Sequence, residues 1–157
     1  TVLKPEGIMK LGLYSEFART SIVEEHKKIK KMAKKLSDET IRNYRKLILR
    51  KATKNENGVS VHSNPIVSAD FFSMSECRDL LFHSKEHRLN LQQIAEALDR
   101  LKLNFLGFEI SAQIRERFLL TKSLTSDLYS LSAWHDYEIE NPNTFGNMYE
   151  FWVQKNR

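Results

Sequence analysis

The sequence holds one cysteine, three prolines and five glycines among its 157 residues. A single thiol, Cys77, cannot build an intramolecular disulfide framework or a cysteine-rich zinc cage, which suits a reducing compartment and predicts a cytoplasmic protein. So little glycine and proline excludes collagen-like and low-complexity chains, and the abundant leucine, isoleucine and phenylalanine exclude a disordered one. No apolar run approaches the ~20 residues of a membrane span. The opening residues do not read as a secretion signal, because Lys4, Glu6 and Lys10 interrupt their apolar character. A chain of this length suits one folded domain, burying roughly two-thirds of the surface its unfolded form exposes.

The charge is unevenly placed. Between His26 and Lys54 stand twelve Lys/Arg, opposed only by Asp38 and Glu39, so this stretch carries +10 while the whole chain carries +5. The remainder is therefore acidic, at −5. Such a block attracts phosphates or other polyanions over long range. A solvated lysine-rich helix face explains it equally, and interleaved exposed aromatics typical of single-strand binders are missing.

Periodicity divides the chain into alternating elements. Residues 8–14 form a short apolar strand, entered through the turn Lys4-Pro5-Glu6-Gly7. From Glu16 to Leu36 the apolar positions Ile22, Ile29, Met32, Ala33 and Leu36 recur at helical spacing. Ser37 is an N-cap for a second helix, with Asp38 and Glu39 in its first turn, Ile41, Tyr44, Ile48 and Ala52 on one face, and an end near Asn57-Gly58. This basic hairpin, 16–57, has a thin apolar seam that must dock on something. Residues 58–70 read as a loop broken by Pro65. A third helix starts at Ser73, with Ser73-x-x-Glu76 at capping-box spacing and Cys77, Leu80 and Leu81 turned inward. Asn90-x-x-Gln93 repeats the device before a helix carrying Ile94, Ala97, Leu98 and Leu101. Leu103–Ile110 is a buried strand. Ile114 and Phe118 belong to a short helix, and another follows Ser132 with Trp134 and Tyr137. After the turn Asn141-Pro142-Asn143, the aromatic alternation of Phe145–Val153 makes a final strand. Three strands interleaved with helices place the chain in the α/β class.

The turn Leu3-Lys4-Pro5-Glu6-Gly7 before an apolar strand resembles the Leu-Lys/Arg-Pro-Gly-Gly turn of class I S-adenosylmethionine-dependent methyltransferases, with Glu6 in place of the first glycine. The terminal Val153-Gln154-Lys155 is similar to the ending of the family's last strand. Three blocks, Met9–Glu16, Phe72–His83 and Asn141–Trp152, resemble a bacterial group of these methyltransferases often joined to tetratricopeptide repeats. The resemblance implies the second half of the family's Rossmann-like sheet, about three strands over 71–157 and 8–14, carrying residues 16–57 as a large helical insertion that could cap the substrate cleft. It further implies a C-terminal, substrate-side part of a methyltransferase, with S-adenosylmethionine as cofactor of the intact parent. The family's glycine-rich cofactor loop and ribose-binding acid have no counterpart, since the five glycines are scattered with no G-x-G. No cofactor is therefore expected on this chain alone. The missing N-terminal half of the domain would be its first partner. The strand at 8–14 would then carry an open edge, covered by its own helices or pairing with a second copy. The alternative is a binding module whose basic hairpin takes an acidic partner or nucleic acid.

Ligands of open α/β sheets lie beyond the carboxyl ends of parallel strands. That makes Tyr14, Ser15 and Glu16 substrate-side candidates, unless Ser15 and Glu16 merely begin the next helix. Arg78, His83 and His87 are further candidates. The string His83-Ser-Lys-Glu-His87 matches H-x-x-E-H, in which two histidines one turn apart bind zinc. A third ligand would have to be a distant acid such as Glu109, Glu138 or Glu140, so a polar role beside a cleft competes with the metal. Cys77 lacks an adjacent base and reads as a buried small hydrophobe.

Overall fold

The computed structural model describes residues 3–32, 37–54, 69–82, 86–121, 125–146 and 148–156. The chain folds into two compact units, one formed by Thr1–Ala18 with His87–Arg157 and the other by Arg19–Glu86.

The first unit is built on a four-stranded mixed sheet, an α/β arrangement. Its strands are β1 (Ile8–Ser15), β2 (Arg88–Leu89), β3 (Leu103–Phe108) and β4 (Met148–Lys155), in the order β2-β1-β4-β3. β4 pairs antiparallel with both β1 and β3, so those two strands run in the same direction. Its register with β1 is continuous from Ile8↔Gln154 to Tyr14↔Met148. β2 adds a parallel contact at Tyr14↔Arg88 and Ser15↔Leu89 only. Along Ile8–Leu13 the other edge of β1 has no ladder partner among the described residues.

Alternation decides which side chains enter the core. Met9, Leu11, Leu13 and Ser15 face inward, while Ile8, Lys10, Gly12 and Tyr14 face outward. On β4, Tyr149, Phe151 and Val153 are completely buried. Against them pack α4 (Leu91–Leu101), through Leu91, Ile94 and Leu98, and α6 (Leu131–Glu140), through Trp134 and Tyr137. The Asn90 capping box is present as expected: its side chain accepts from the Gln93 N–H at 2.9 Å, and Gln93 accepts from the Asn90 N–H at 3.0 Å. Between β3 and α6 lies α5 (Ala112–Thr121), whose Phe118 stacks on Trp134 with ring centroids 3.7 Å apart. The Trp134 indole N–H is satisfied by the Leu128 carbonyl at 3.0 Å.

The second unit contains α1 (Thr20–Met32), α2 (Asp38–Lys54), a 3-10 turn at Ala69–Phe71 and α3 (Met74–Phe82). The seam of the hairpin docks within this unit: Ile22, Ile29, Ile41, Tyr44 and Ile48 share a core with Phe71, Cys77, Leu80 and Leu81. Ser37 caps α2, accepting from the Thr40 N–H at 3.2 Å. His26 Nε2 donates to the Leu80 carbonyl at 2.9 Å, and the Tyr44 hydroxyl donates to Glu25. Cys77 is completely buried, and burial pushes its thiol pKa up, as an inert small hydrophobe requires.

The structure departs from the periodicity reading at several points. Among the described residues the sheet has a fourth strand beyond the three expected: β2 is only two residues long, and two residues show no alternation. α1 starts at Thr20, since Glu16–Arg19 form a turn closed by the Ala18 N–H on Ser15 Oγ at 3.2 Å. α6 starts at Leu131 on an N-cap from Ser130, not after Ser132. The last strand begins at Met148, as Phe145 belongs to the preceding turn. The expected ends of the first two helices at Leu36 and Asn57-Gly58 lie outside the described residues, as does nearly all of the 58–70 loop.

Candidate functional site

The carboxyl end of β1 brings the first three candidates together, but gives them different tasks. Ser15 is fully buried and faces the core. Its hydroxyl stands 3.0 Å from both Glu138 Oε1 and the Tyr149 hydroxyl oxygen, and it donates to one of them. The Tyr149 hydroxyl donates to the Glu138 carboxylate, at 2.7 Å from Oε2 and 2.9 Å from Oε1. Ser15, Glu138 and Tyr149 thus form a sealed polar cluster linking the end of β1, the last turn of α6 and the start of β4. A buried carboxylate is costly unless hydrogen-bonded. Burial is the stronger influence here and pushes Glu138 up to about 7, while the donors Tyr149 and Ser15 pull it back down. Burial also holds the Tyr149 hydroxyl well above its ordinary value, with a further rise from the Glu138 charge.

No member of this cluster reaches solvent, so its part is to hold the turn after β1 in place. The residues on either side of Ser15 point elsewhere. Tyr14 lies on the outer face of the sheet and is 37% exposed. Glu16 is exposed and accepts from Asn90 Nδ2 at 3.3 Å, which ties the β1 exit to the N-cap of α4. Next to this turn the Phe17 ring lies 6.1 Å from the His135 ring, and the buried His135 Nδ1 has no partner among the described residues. On the outer face, the Lys10 ammonium sits between Glu109 at 2.8 Å and Glu150 at 2.7 Å. Those carboxylates raise its pKa, the Glu109 hydrogen bond most.

Arg78 belongs to the helical unit, where it pairs with Asp38. His83 lies outside the described residues. His87 is exposed and outside any helix, so the helical face that would present two histidines one turn apart is not formed at its end. The Glu86 carboxylate of the same string takes a bidentate bond from Arg19. Among the described residues no group of three His, Cys, Asp or Glu is placed to hold a metal. Sequence reasoning named Glu138 only as a distant zinc-ligand option and passed over His135 and Tyr149 as site residues. The available signal was positional: Glu138 falls one turn after Trp134 and beside Tyr137 on the inward face of α6, and Tyr149 occupies an inward position of β4.

The described glycines do not make a ligand cradle. Gly12 lies beneath Met148, where a Cβ would come 3.0 Å from its sulfur, and Gly107 occupies the β3 bulge with φ +131°. Gly7 and Gly146 sit in separate turns, and Gly58 is outside the described residues. Among the described residues the glycines therefore offer no close-approach loop of the kind the methyltransferase family uses for S-adenosylmethionine.

No protein-family model and no curated protein matches the sequence. Among solved structures, the chain is similar to PKMT2 from Rickettsia typhi, a protein lysine methyltransferase, with a TM-score of 0.64 at 12% identity. The match covers 99% of this chain and 31% of that one, so the chain spans less than a third of that protein's length. At such low identity the likeness is one of fold: a partial, methyltransferase-like α/β fold.

Proposed function

We propose that the chain is the C-terminal, substrate-side portion of an S-adenosylmethionine-dependent methyltransferase domain. The observation that carries this reading is the strand order. β4 runs antiparallel between two parallel strands, and the carboxyl end of β1 presents Tyr14 and Glu16 around a buried anchor. That arrangement agrees with the end of the sheet implied by the Leu3-Lys4-Pro5-Glu6-Gly7 turn, and the likeness to PKMT2 supports the fold. Methyl transfer depends largely on placing the acceptor nucleophile in line with the methyl group. Tyr14 and Glu16 would line the acceptor, and the Ser15–Glu138–Tyr149 cluster would fix the turn from which they project. The cofactor cradle would come from sequence beyond this chain, which alone would be inactive. Because PKMT2 is a protein lysine methyltransferase, lysine side chains of proteins are the acceptors to assay first.

The test compares this chain with a version extended by the coding sequence upstream of Thr1, using dialysis against labelled S-adenosylmethionine and label transfer to a lysine-rich protein. The extended protein should retain the cofactor and transfer label, whereas the chain alone should do neither. Tyr14→Ala or Glu16→Ala in the extended protein should slow transfer roughly 10- to 100-fold, with retention unchanged. Cofactor retention by the chain alone, or none by the extended protein, would overturn the reading.

A further inference from the structure

The strongest feature not absorbed by a methyltransferase reading is the basic surface of the helical unit. On α2, Arg42, Lys46 and Arg50 stand at i, i+4 and i+8, so they form one exposed row with steps of about 6 Å. On α1, Lys27 and Lys31 make a shorter row of the same kind, with Lys30 beside it, all three exposed. Lys27, Lys30, Lys31, Arg42 and Lys46 take no carboxylate among the described residues. Other cations of the unit are engaged: Lys28 with Glu25, Arg78 with Asp38, Arg19 with Glu86, and Arg45 with the Phe72 carbonyl at 2.8 Å.

We propose that the α1–α2 pair is a docking surface for the phosphate backbone of double-stranded nucleic acid. Rows of cations repeating every helical turn suit a polymer that repeats its charge, and guanidinium groups grip phosphate oxygens in pairs. A membrane surface fits less well. Its basic helices insert an apolar face, but here Ile22, Ile29, Ile41 and Ile48 are spent on the unit's own core. A single strand fits less well too, because the aromatic on these helices, Tyr44, is buried and offers no stacking platform. The remaining contact is with the backbone, which carries charge without base sequence. This inference stands on the helical unit and is independent of methyl transfer.

Fluorescence anisotropy of the full chain with a labelled 25-base-pair DNA duplex of arbitrary sequence tests it. About five neutralised phosphates predict an affinity loss of roughly 10²- to 10³-fold between 50 and 200 mM salt. Affinity should depend little on duplex sequence. The exposed double change Arg42→Gln/Lys46→Gln should preserve the helical circular dichroism signal and melting temperature. It should also lower the salt slope by about 2. Arg42→Lys should retain most of the slope. The proposal is overturned by absence of duplex binding at 50 mM salt, or by a double variant that binds like the parent. It is equally overturned if phosphatidylserine vesicles or polyglutamate bind more tightly than the duplex at matched salt.

Discussion

Arg19 and Glu86, the first and last residues of the helical unit, meet in a bidentate ion pair with both N···O distances at 2.6 Å. Their side chains are 3% and 4% exposed. The pair therefore joins the two points at which the chain enters and leaves that unit. Whatever the length of the chain between them, its ends are held at a fixed separation, and loop length itself adds only slowly to the cost of closure. Planar guanidinium and carboxylate match two bonds at once, a geometry lysine cannot reproduce.

Breaking this pair from one side should be costly. Glu86→Leu or Arg19→Leu leaves a buried charge without its counter-ion and is expected to destabilise by about 3–5 kcal/mol. The double change to leucine should cost clearly less than either single one. Urea unfolding of the four proteins, arranged as a double-mutant cycle, gives the coupling directly. Additive losses would mean that the two residues act separately.

The Glu138 cluster predicts a pH dependence of opposite sign to that of an ordinary paired carboxylate. Unfolded, Glu138 releases its proton near 4.5; folded, near 7. Between those values the folded chain binds more protons, so stability is greatest below about pH 4.5 and falls as pH rises to about 7. A shift of this size corresponds to at most about 3 kcal/mol. Glu138→Gln should flatten that component. Ser15→Ala and Tyr149→Phe remove donors to the carboxylate and should carry the decline to higher pH. Urea midpoints measured across about pH 4 to 8 check both, and a difference between the parent and Glu138→Gln that is constant with pH would contradict the first.

The open edge of β1 is visible to hydrogen exchange. In an antiparallel pair, a strand directs alternate amides at its neighbour. Within Ile8–Leu13, the amides aimed at β4 should be protected and the alternate ones should exchange rapidly in dilute protein. Raising the concentration should slow the fast set and enlarge the sedimenting species, as the edge takes a strand from a second copy. Uniform protection in a dilute monomer would show the edge to be covered.

Much of this fold could be read from short-range chemistry. Asn90-x-x-Gln93, Ser37 before Asp38-Glu39, and the apolar spacing of Ile41, Tyr44 and Ile48 each report on their own helix, because caps and periodicity are local. Where the meaning of a residue lies in a distant partner, local chemistry is silent. Glu138 on a helix looks like a surface acid until Ser15, 123 residues earlier, and Tyr149 close over it. The partner of Arg78, Asp38, lies 40 residues earlier, and Glu86 reads as part of H-x-x-E-H until Arg19 claims both its oxygens. The two residues of β2 carry no pattern, and only their pairing with the end of β1 makes them a strand.

β4 is made after β1 and β3 and sits between them. β1 and β3 share no hydrogen bonds with each other, and both wait for Met148–Lys155 to join them. During synthesis the sheet of the first unit therefore cannot close until Met148–Lys155 has left the ribosome, even if every helix has already formed. Nascent chains stalled before Met148 would show helices around two separated strands, with the apolar inner face of β1 exposed for as long as translation lasts.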